Sequence, residues 1–182
     1  QVNENWVLEP EMLAIYAKHY KTGEPMPIEL VEKVQAASKH NQGFATVEYL
    51  AAAFLDMIWH ELTEATTLST AEFEKAALEK IGLISEILPR YRSTYFNHIF
   101  GGSGSYSAGY YSYMWSEVLD ADAFAAFQET GDIFNKDVAT RFRKEILELG
   151  GTKDSAEMYQ NFRGRAPEVR PLLERRGLII SD

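Results

Sequence analysis

The chain has 182 residues, and 46% of them are hydrophobic, which suffices for the core of one medium-sized globular domain. A net charge of -9 disfavours binding through neutralised phosphates, so nucleic acid is not expected as a partner. The absence of cysteine excludes disulfides, thiolate metal sites and a cysteine nucleophile, and no apolar run of about 18 residues is present to span a membrane.

Helical periodicity dominates the first half of the chain. Helices are predicted there over residues 9–17, 27–38, 44–64 and 69–81. Pro10 and Pro27 suit first turns, and Ser69 with Glu72 forms a capping-box signature. The third helix is the longest, and its hydrophobic stripe consists of Val47, Leu50, Ala51, Phe54, Ile58 and Leu62. We expect this helix to be central and covered on more than one side.

The second half of the chain is also predicted to be helical. Helices are expected over residues 107–119, 121–130 and 135–149, the last of which stops at Gly150. Asp154 and Glu157 form a second capping-box signature before a short helix. That helix centres on Met158, Tyr159 and Phe162, and a last one contains Val169, Leu172 and Leu173. No segment favours a strand, so residues 1–182 are predicted to form a single all-α domain.

The end of the long third helix contains half of a metal-binding pattern. His60 and Glu61 match the start of the zinc motif H-E-x-x-H, but Glu64 stands where the second histidine is required. His60 and Glu64, one helical turn apart, could in principle share a metal. An ordinary charged helix end is the interpretation we adopt.

Residues 95–115 are the least like packing material. His98 precedes a loop that contains Gly101, Gly102 and Gly104, and four tyrosines follow: Tyr106, Tyr110, Tyr111 and Tyr113. Glycines let a loop approach a bound main chain closely, so the segment is interpreted as a clamp or lid on a ligand. A phosphate cradle is disfavoured because no strand precedes the loop and neither dinucleotide nor Walker spacing is met.

The side chains of this segment suit the stabilisation of an oxyanion. Tyrosine hydroxyls and a histidine N–H can donate to negative charge that develops in a transition state, but they supply no attacking group. A purely structural role is the alternative, with His98 as a satisfied core histidine. In that case Tyr95, Tyr106, Tyr111 and Trp115 would simply pack.

Two runs of sequence, RYRSTYFNHIFGG at 90–102 and YSAGYYSYMW at 106–115, resemble the thimet oligopeptidase family of zinc metallopeptidases. Within that family they are most similar to the peptidyl-dipeptidases (dipeptidyl carboxypeptidases). Similar runs occur in the family's order at Trp6 and at residues 16–20, 55–60, 162–167 and 176–178. The likeness therefore covers nearly the whole chain.

The resemblance implies the C-terminal portion of a mostly helical, two-lobed enzyme that cleaves peptides with a zinc-bound water. Its zinc ligands are the two histidines of H-E-x-x-H and a later glutamate, which we expect upstream of residue 1. Glu4 is not a substitute for them. No metal ligand is therefore expected in this chain, which should be inactive alone. The expected partners are an oligopeptide substrate and the remainder of the parent catalytic domain.

The resemblance also implies roles for individual residues. His98 matches a histidine that hydrogen-bonds the substrate or tetrahedral intermediate, and Tyr113 matches a tyrosine that stabilises the oxyanion. Tyr106 matches a loop tyrosine that swings in on the substrate, and Tyr110 matches a further substrate contact. Gly101, Gly102 and Gly104 match the flexible loop. The loop from His98 to Tyr106 is about two residues longer than is usual for peptidyl-dipeptidases.

Several alternatives stay open at the level of sequence. Arg90 or Arg92 could bind the C-terminal carboxylate of a substrate, but each suits a structural ion pair equally well. The parent could instead be an endo-acting oligopeptidase of the same family, or the chain a non-catalytic helical peptide-binding domain. The compartment is open between cytoplasm and periplasm, with the cytoplasm favoured.

Overall fold

The structure is a computed structural model that describes residues 1–102 and 105–179. These residues form helices and no β-sheet; a single isolated antiparallel bridge joins Lys18 and Pro25. The α-helices are α1 (Pro10–Tyr16), α2 (Ile28–Ser38), α3 (Gln42–His60), α4 (Thr70–Lys80), α5 (Asn97–Phe100), α6 (Ser112–Gln128), α7 (Lys136–Phe142), α8 (Ser155–Arg163) and α9 (Arg170–Arg175). Short 3₁₀ helices span Val2–Leu8 and Ser93–Tyr95, and a π-helical segment, Arg143–Leu147, continues α7. The all-α prediction is confirmed.

Local sequence signals predicted several helix starts correctly. At α4, the Ser69 hydroxyl accepts from the Glu72 N–H and the Glu72 carboxylate accepts from the Ser69 N–H, which confirms the capping box. At α8, the Asp154 carboxylate accepts from the N–H groups of Ala156 and Glu157. Such caps satisfy N–H groups that have no partner within the helix.

Helix α3 ends at His60, so its predicted end at Glu64 was wrong. The residues after it are rich in threonine, which is a weaker helix former because of its branched Cβ. Its buried face also differs from the predicted stripe. Phe54, which belongs to the predicted stripe, is 49% exposed, whereas Asp56, which does not, is completely buried.

Helix α6 is one uninterrupted helix, although two helices over 107–119 and 121–130 were predicted. It begins only at Ser112 because Ala108 adopts a left-handed conformation, φ +53°, that is incompatible with an α-helix. It continues through Asp120 because that carboxylate accepts from Asn5 and Arg175 instead of capping a new helix.

The chain contacts divide into two compact units, of which unit 1 comprises residues 1–40 and 116–182. Its core cluster contains Ala123, Ala126, Phe127, Val138, Tyr159 and Phe162. The Trp6 ring packs on this cluster, with its centroid 4.9 Å from that of Phe127, and its indole N–H donates to the Ile133 carbonyl at 2.8 Å. Burial of each large apolar side chain stabilises the fold by roughly 1.5–3 kcal/mol.

A buried carboxylate also organises unit 1. Asp122, which is inaccessible to solvent, accepts hydrogen bonds from Tyr159, Arg163 and Arg165. Burial alone would raise the pKa of Asp122, but these hydrogen bonds outweigh it and hold the pKa below its usual value. Arginines of the basic C-terminal tail therefore balance acidic residues inside the unit.

Unit 2 comprises residues 41–115. Its core cluster contains Ala52, Ala53, Phe96, Ile99 and Tyr110, and Tyr49 and Tyr91 pack against it. Consecutive alanines in α3 leave room for aromatic rings to lie close to the helix backbone. None of the helices in residues 1–102 and 105–179 is long and apolar enough to cross a membrane. The organisation of the two units as one domain stays a prediction.

Candidate functional site

The described residues of the predicted site all lie in unit 2, and four of them form one aromatic cluster. The ring centroid of His98 lies 6.4 Å from that of Tyr106 and 5.8 Å from that of Tyr110. Tyr113 completes the cluster, 5.7 Å from Tyr106 and 5.4 Å from Tyr110. The structure thus brings together the histidine and the three tyrosines that were singled out from the sequence.

Tyr106 and Tyr113 form an exposed pair of hydroxyls. The two side chains are 50% and 39% exposed, and a hydrogen bond joins them. This bond raises the pKa of Tyr113 above its usual value. A hydrogen bond raises the pKa of a phenol when it stabilises the protonated form, so the Tyr113 hydroxyl is held in its protonated form, which can donate. Tyr113 therefore stays protonated at neutral pH.

His98 lies in the short helix α5 and is half-buried, with its ring centroid 4.8 Å from that of Tyr91. Its backbone carbonyl accepts from the Tyr106 N–H at 2.7 Å. This bond closes the loop between the two residues. Tyr106 is therefore held beside His98 by the backbone and not only by its side chain.

Tyr110 lies inside the core of unit 2. It is 4% exposed, its ring stacks on Tyr49 at 5.1 Å, and it meets the edge of Phe96 at 4.9 Å. Burial raises the pKa of Tyr110 to about 12, although the nearby Arg90 guanidinium acts in the opposite direction. Its role as a substrate contact stays a prediction.

The glycines of the loop have backbone reasons for being glycine. A Cβ on Gly101 would lie 2.6 Å from the Asn97 carbonyl oxygen, a severe clash. Gly102 has φ +114°, which residues with a side chain rarely adopt. Gly104, the third predicted loop glycine, lies outside the described residues. A flexible role for the loop stays a prediction.

Asp56 is the main residue that the sequence analysis missed. Its carboxylate, completely buried on α3, accepts from the Ala108 N–H at 2.9 Å and from the Tyr110 N–H at 2.9 Å. The His60 imidazole also lies 2.8 Å from this carboxylate through Nδ1. The sequence does contain one signal for Asp56, because a charged residue within the apolar run of α3 is expected to be buried and paired.

Other missed residues support the segment that leads to His98. The Glu74 carboxylate, 3% exposed, accepts from Arg92 at 2.6 Å and from the Ser93 N–H at 2.7 Å. The Trp59 indole donates to the Ser93 hydroxyl at 2.9 Å. Arg92 therefore forms a structural ion pair. The side chain of Arg90 is exposed and has no hydrogen-bond or ion-pair partner within the described part of the chain.

The described residues do not fit a zinc site. No group of three or more His, Cys, Asp or Glu side chains in residues 1–102 and 105–179 could hold a metal ion. Because α3 ends at His60, Glu64 does not follow it on the next helical turn, and His60 Nδ1 contacts Asp56 instead. The aromatic cluster around His98 can donate hydrogen bonds to an oxyanion, but it offers no activated nucleophile.

Comparison with known protein families matches residues 1–178 to peptidase family M3. The dipeptidyl carboxypeptidase of Escherichia coli K12 is 43% identical over 182 residues, which cover 99% of this chain and 26% of that protein. Oligopeptidase A of the same organism is 37% identical over 180 residues, 98% of this chain and 26% of that protein. The probable cytosolic oligopeptidase A of Arabidopsis thaliana is 38% identical over 190 residues, which cover 100% of this chain and 26% of that protein.

The chain thus spans about a quarter of the length of these relatives. The family match extends over almost all of it, including every described residue of the aromatic cluster. These matches confirm the resemblance found in the sequence, and the chain belongs to peptidase family M3.

Proposed function

We propose that this chain forms the substrate-binding and oxyanion-stabilising part of a zinc peptidase that releases C-terminal dipeptides from oligopeptides. The observation that carries the proposal is the hydrogen-bonded, exposed pair of Tyr106 and Tyr113 beside His98. The 43% identity to a protein named dipeptidyl carboxypeptidase supports the dipeptide-releasing specificity.

Tyr113 is the proposed oxyanion donor. In the free protein its hydroxyl is hydrogen-bonded to the Tyr106 hydroxyl. In this proposal the Tyr106 oxygen occupies the place of the negatively charged oxygen that develops when a peptide carbonyl is attacked. Substrate would take over this hydrogen bond. A donor that is already oriented stabilises the transition state without the cost of reorganisation.

His98 and Tyr106 are proposed to bind the substrate next to the scissile bond. The His98 ring is half-buried and surrounded by tyrosines, so its orientation is restricted. Tyr106 is exposed, but its backbone N–H is fixed to the His98 carbonyl. A restricted imidazole and a fixed backbone lose little entropy when they align a bound peptide.

The zinc implied by the family resemblance would be held by parts of the longer protein outside this chain. Its chemistry would be Lewis-acid activation of the water and of the scissile carbonyl. We therefore expect the isolated 182 residues to have no peptidase activity.

An endo-acting oligopeptidase is the second candidate function, favoured by the 37% identity to a protein named oligopeptidase A. The two functions differ in whether the substrate must end in a free carboxylate two residues after the cleaved bond. Arg90 is the residue of this chain suited to that carboxylate, because Arg92 is already paired with Glu74 while the Arg90 side chain is exposed.

The test compares the full-length parent protein with this chain alone. Each is assayed for zinc content and for hydrolysis of an N-blocked peptide with either a free or an amidated C-terminus. We expect one zinc and dipeptide release in the parent only, and only from the free acid. Equal cleavage of the amidated peptide would favour the oligopeptidase. Peptide binding without hydrolysis by the zinc-loaded parent would overturn the catalytic proposal in favour of a peptide-binding domain.

A further inference from the structure

We propose that Asp56 is a positioning residue for the Tyr106–Tyr113 pair, acting through the turn between them. The inference rests on the proposed function of that pair. Asp56 is a fully buried carboxylate more than 50 residues away in sequence, and both of its oxygens accept from the backbone of this turn. It is not part of the aromatic cluster itself.

The turn at residues 108–110 has three consecutive N–H groups, and each has a defined acceptor. The N–H groups of Ala108 and Tyr110 donate to Asp56 Oδ1 and Oδ2, both at 2.9 Å. The N–H of Gly109, between them, donates to the Tyr106 carbonyl at 2.7 Å. One carboxylate thus fixes the backbone that follows Tyr106 and precedes Tyr113.

The conformation of Ala108 indicates that the carboxylate determines the shape of this turn. Its φ of +53° is rare for a residue with a Cβ, because the side chain approaches the neighbouring carbonyl. Such conformations persist where the surroundings over-determine them. The hydrogen bond from Ala108 to Asp56 provides that constraint.

Two further contacts hold the arrangement in place. His60 Nδ1 lies 2.8 Å from Asp56 Oδ1 and 2.9 Å from the Asp56 carbonyl, which restricts the rotation of the carboxylate. The Tyr49 hydroxyl donates to the Tyr110 carbonyl at 2.5 Å. The Tyr110 residue is therefore fixed at its N–H by Asp56 and at its carbonyl by Tyr49.

This geometry predicts a specific effect on the reaction. If the turn relaxes, the Tyr106 and Tyr113 hydroxyls no longer meet in the same relative position. Misplacement of catalytic groups by about 1 Å can cost about 10²-fold in rate. Asp56→Ala should therefore lower kcat of the full-length enzyme by about 10²-fold, with KM nearly unchanged. Asp56→Asn keeps one acceptor but turns a donor toward the other N–H, so its kcat should be intermediate.

A double-substitution experiment separates positioning from a general loss of stability. If Asp56 acts through Tyr113, Asp56→Ala should have little further effect on kcat in a Tyr113→Phe background. Hydrogen exchange of the backbone at 106–113 should accelerate in Asp56→Ala. Met158→Ala, which truncates a buried side chain of unit 1, is the control; it should lower Tm without changing kcat or exchange in this turn.

The possible outcomes distinguish this inference from the function on which it rests. A wild-type parent without peptidase activity would overturn the proposed function. An active parent in which folded Asp56→Ala retains kcat within about twofold of wild type would overturn the inference alone. Independent, multiplicative effects of Asp56→Ala and Tyr113→Phe would also overturn it, because the carboxylate would then act by another route.

Discussion

A hydrogen bond joins the hydroxyls of Tyr113 and Tyr106, and the two ring centroids lie 5.7 Å apart with an angle of 38° between the ring planes. If the Tyr113 hydroxyl stabilises an oxyanion, Tyr113→Phe in the full-length protein should lower kcat by about 10²-fold or more, measured by steady-state hydrolysis. Tyr111→Phe is the matched control, since Tyr111 is 51% exposed on the same segment but is absent from the cluster contacts. An unchanged kcat in Tyr113→Phe would remove Tyr113 from this role.

The same hydrogen bond predicts a shift in the pH dependence of the reaction. Tyr113 donates only while it is protonated, so activity should fall as the pH rises through its pKa. The bond to Tyr106 raises that pKa, and Tyr106→Phe removes the acceptor. The alkaline limb of the kcat profile should therefore move to lower pH in Tyr106→Phe and stay in place in Tyr111→Phe. A stationary limb in Tyr106→Phe would show that another group controls it.

Tyr110 should make the fold sensitive to alkali. Its pKa is raised by burial from 10.0 to about 12, so below pH 10 its contribution to stability is fully present. As the pH rises from 10 to 12, the unfolded chain loses this proton first and the free energy of unfolding falls, by about 1 kcal/mol near pH 11.

Thermal unfolding at several pH values tests this prediction. Between pH 9 and 11, Tyr110→Phe should lose less stability than wild type. The control is Tyr20→Phe, because Tyr20 is 85% exposed. This variant should show the same fall of Tm with pH as wild type. If Tm fell equally with pH in wild type and in Tyr110→Phe, Tyr110 would not be the group that makes the fold sensitive to alkali.

Asp122 should contribute to stability above about pH 4. Its pKa is lowered in the folded state because hydrogen bonds from Arg165, Arg163 and Tyr159 outweigh its burial. A group with a lowered pKa stabilises the fold above its unfolded value, 3.8, and loses that contribution as the pH falls through the folded pKa.

Removal of this carboxylate takes a buried hydrogen-bond acceptor from Tyr159, Arg163 and Arg165, although Arg163 keeps its ion pair with Glu129. Asp122→Ala should therefore lower the free energy of unfolding by about 3 kcal/mol at pH 7. The difference from wild type should narrow as the pH falls below about 4. Glu148→Ala removes an exposed ion pair with Arg143 and should cost less than about 1 kcal/mol. An equal loss in the free energy of unfolding for the two variants would show that the buried Asp122 carboxylate contributes no more than an exposed ion pair.

Arg90 provides a test of the proposed substrate end group. Its exposed guanidinium has no hydrogen-bond or ion-pair partner among residues 1–102 and 105–179, unlike that of Arg92. If it binds a C-terminal carboxylate, Arg90→Gln should raise KM for a free-acid peptide by about tenfold or more, because a charge-assisted hydrogen bond is lost. Lys75→Gln, on the exposed side of α4, should leave KM unchanged. An equal KM in wild type and Arg90→Gln would exclude Arg90 as the carboxylate site.

Helix starts were predictable from the sequence where the signal is local. The capping box at Ser69 and the cap at Asp154 depend on residues within one helical turn. The start of α6 was not predictable in this way, because the left-handed Ala108 before it is hydrogen-bonded to a carboxylate 52 residues earlier. Tertiary hydrogen bonds of this kind leave no periodic pattern in the local sequence.

The candidate site was predictable to a similar extent. His98 and its tyrosines stand out because glycine and tyrosine are so concentrated there, and the structure brings them together. Their supports, Asp56 and Glu74, were missed. Glu74 lies in an ordinary helical pattern, and although Asp56 interrupts an apolar run, the sequence does not show which groups it binds. The partner of a buried carboxylate can be identified only when the fold brings distant segments together.

The hydrogen bond from the Tyr106 N–H to the His98 carbonyl also bears on how far the length of this loop can vary. Because the bond closes the loop at its base, residues can be gained or lost within it while the tyrosine keeps its place. Each doubling of a flexible loop costs only about 0.6 kcal/mol in closure entropy. The two extra residues that the resemblance implies for this loop would thus be tolerated, and loop length can vary separately from the positions of His98 and Tyr106.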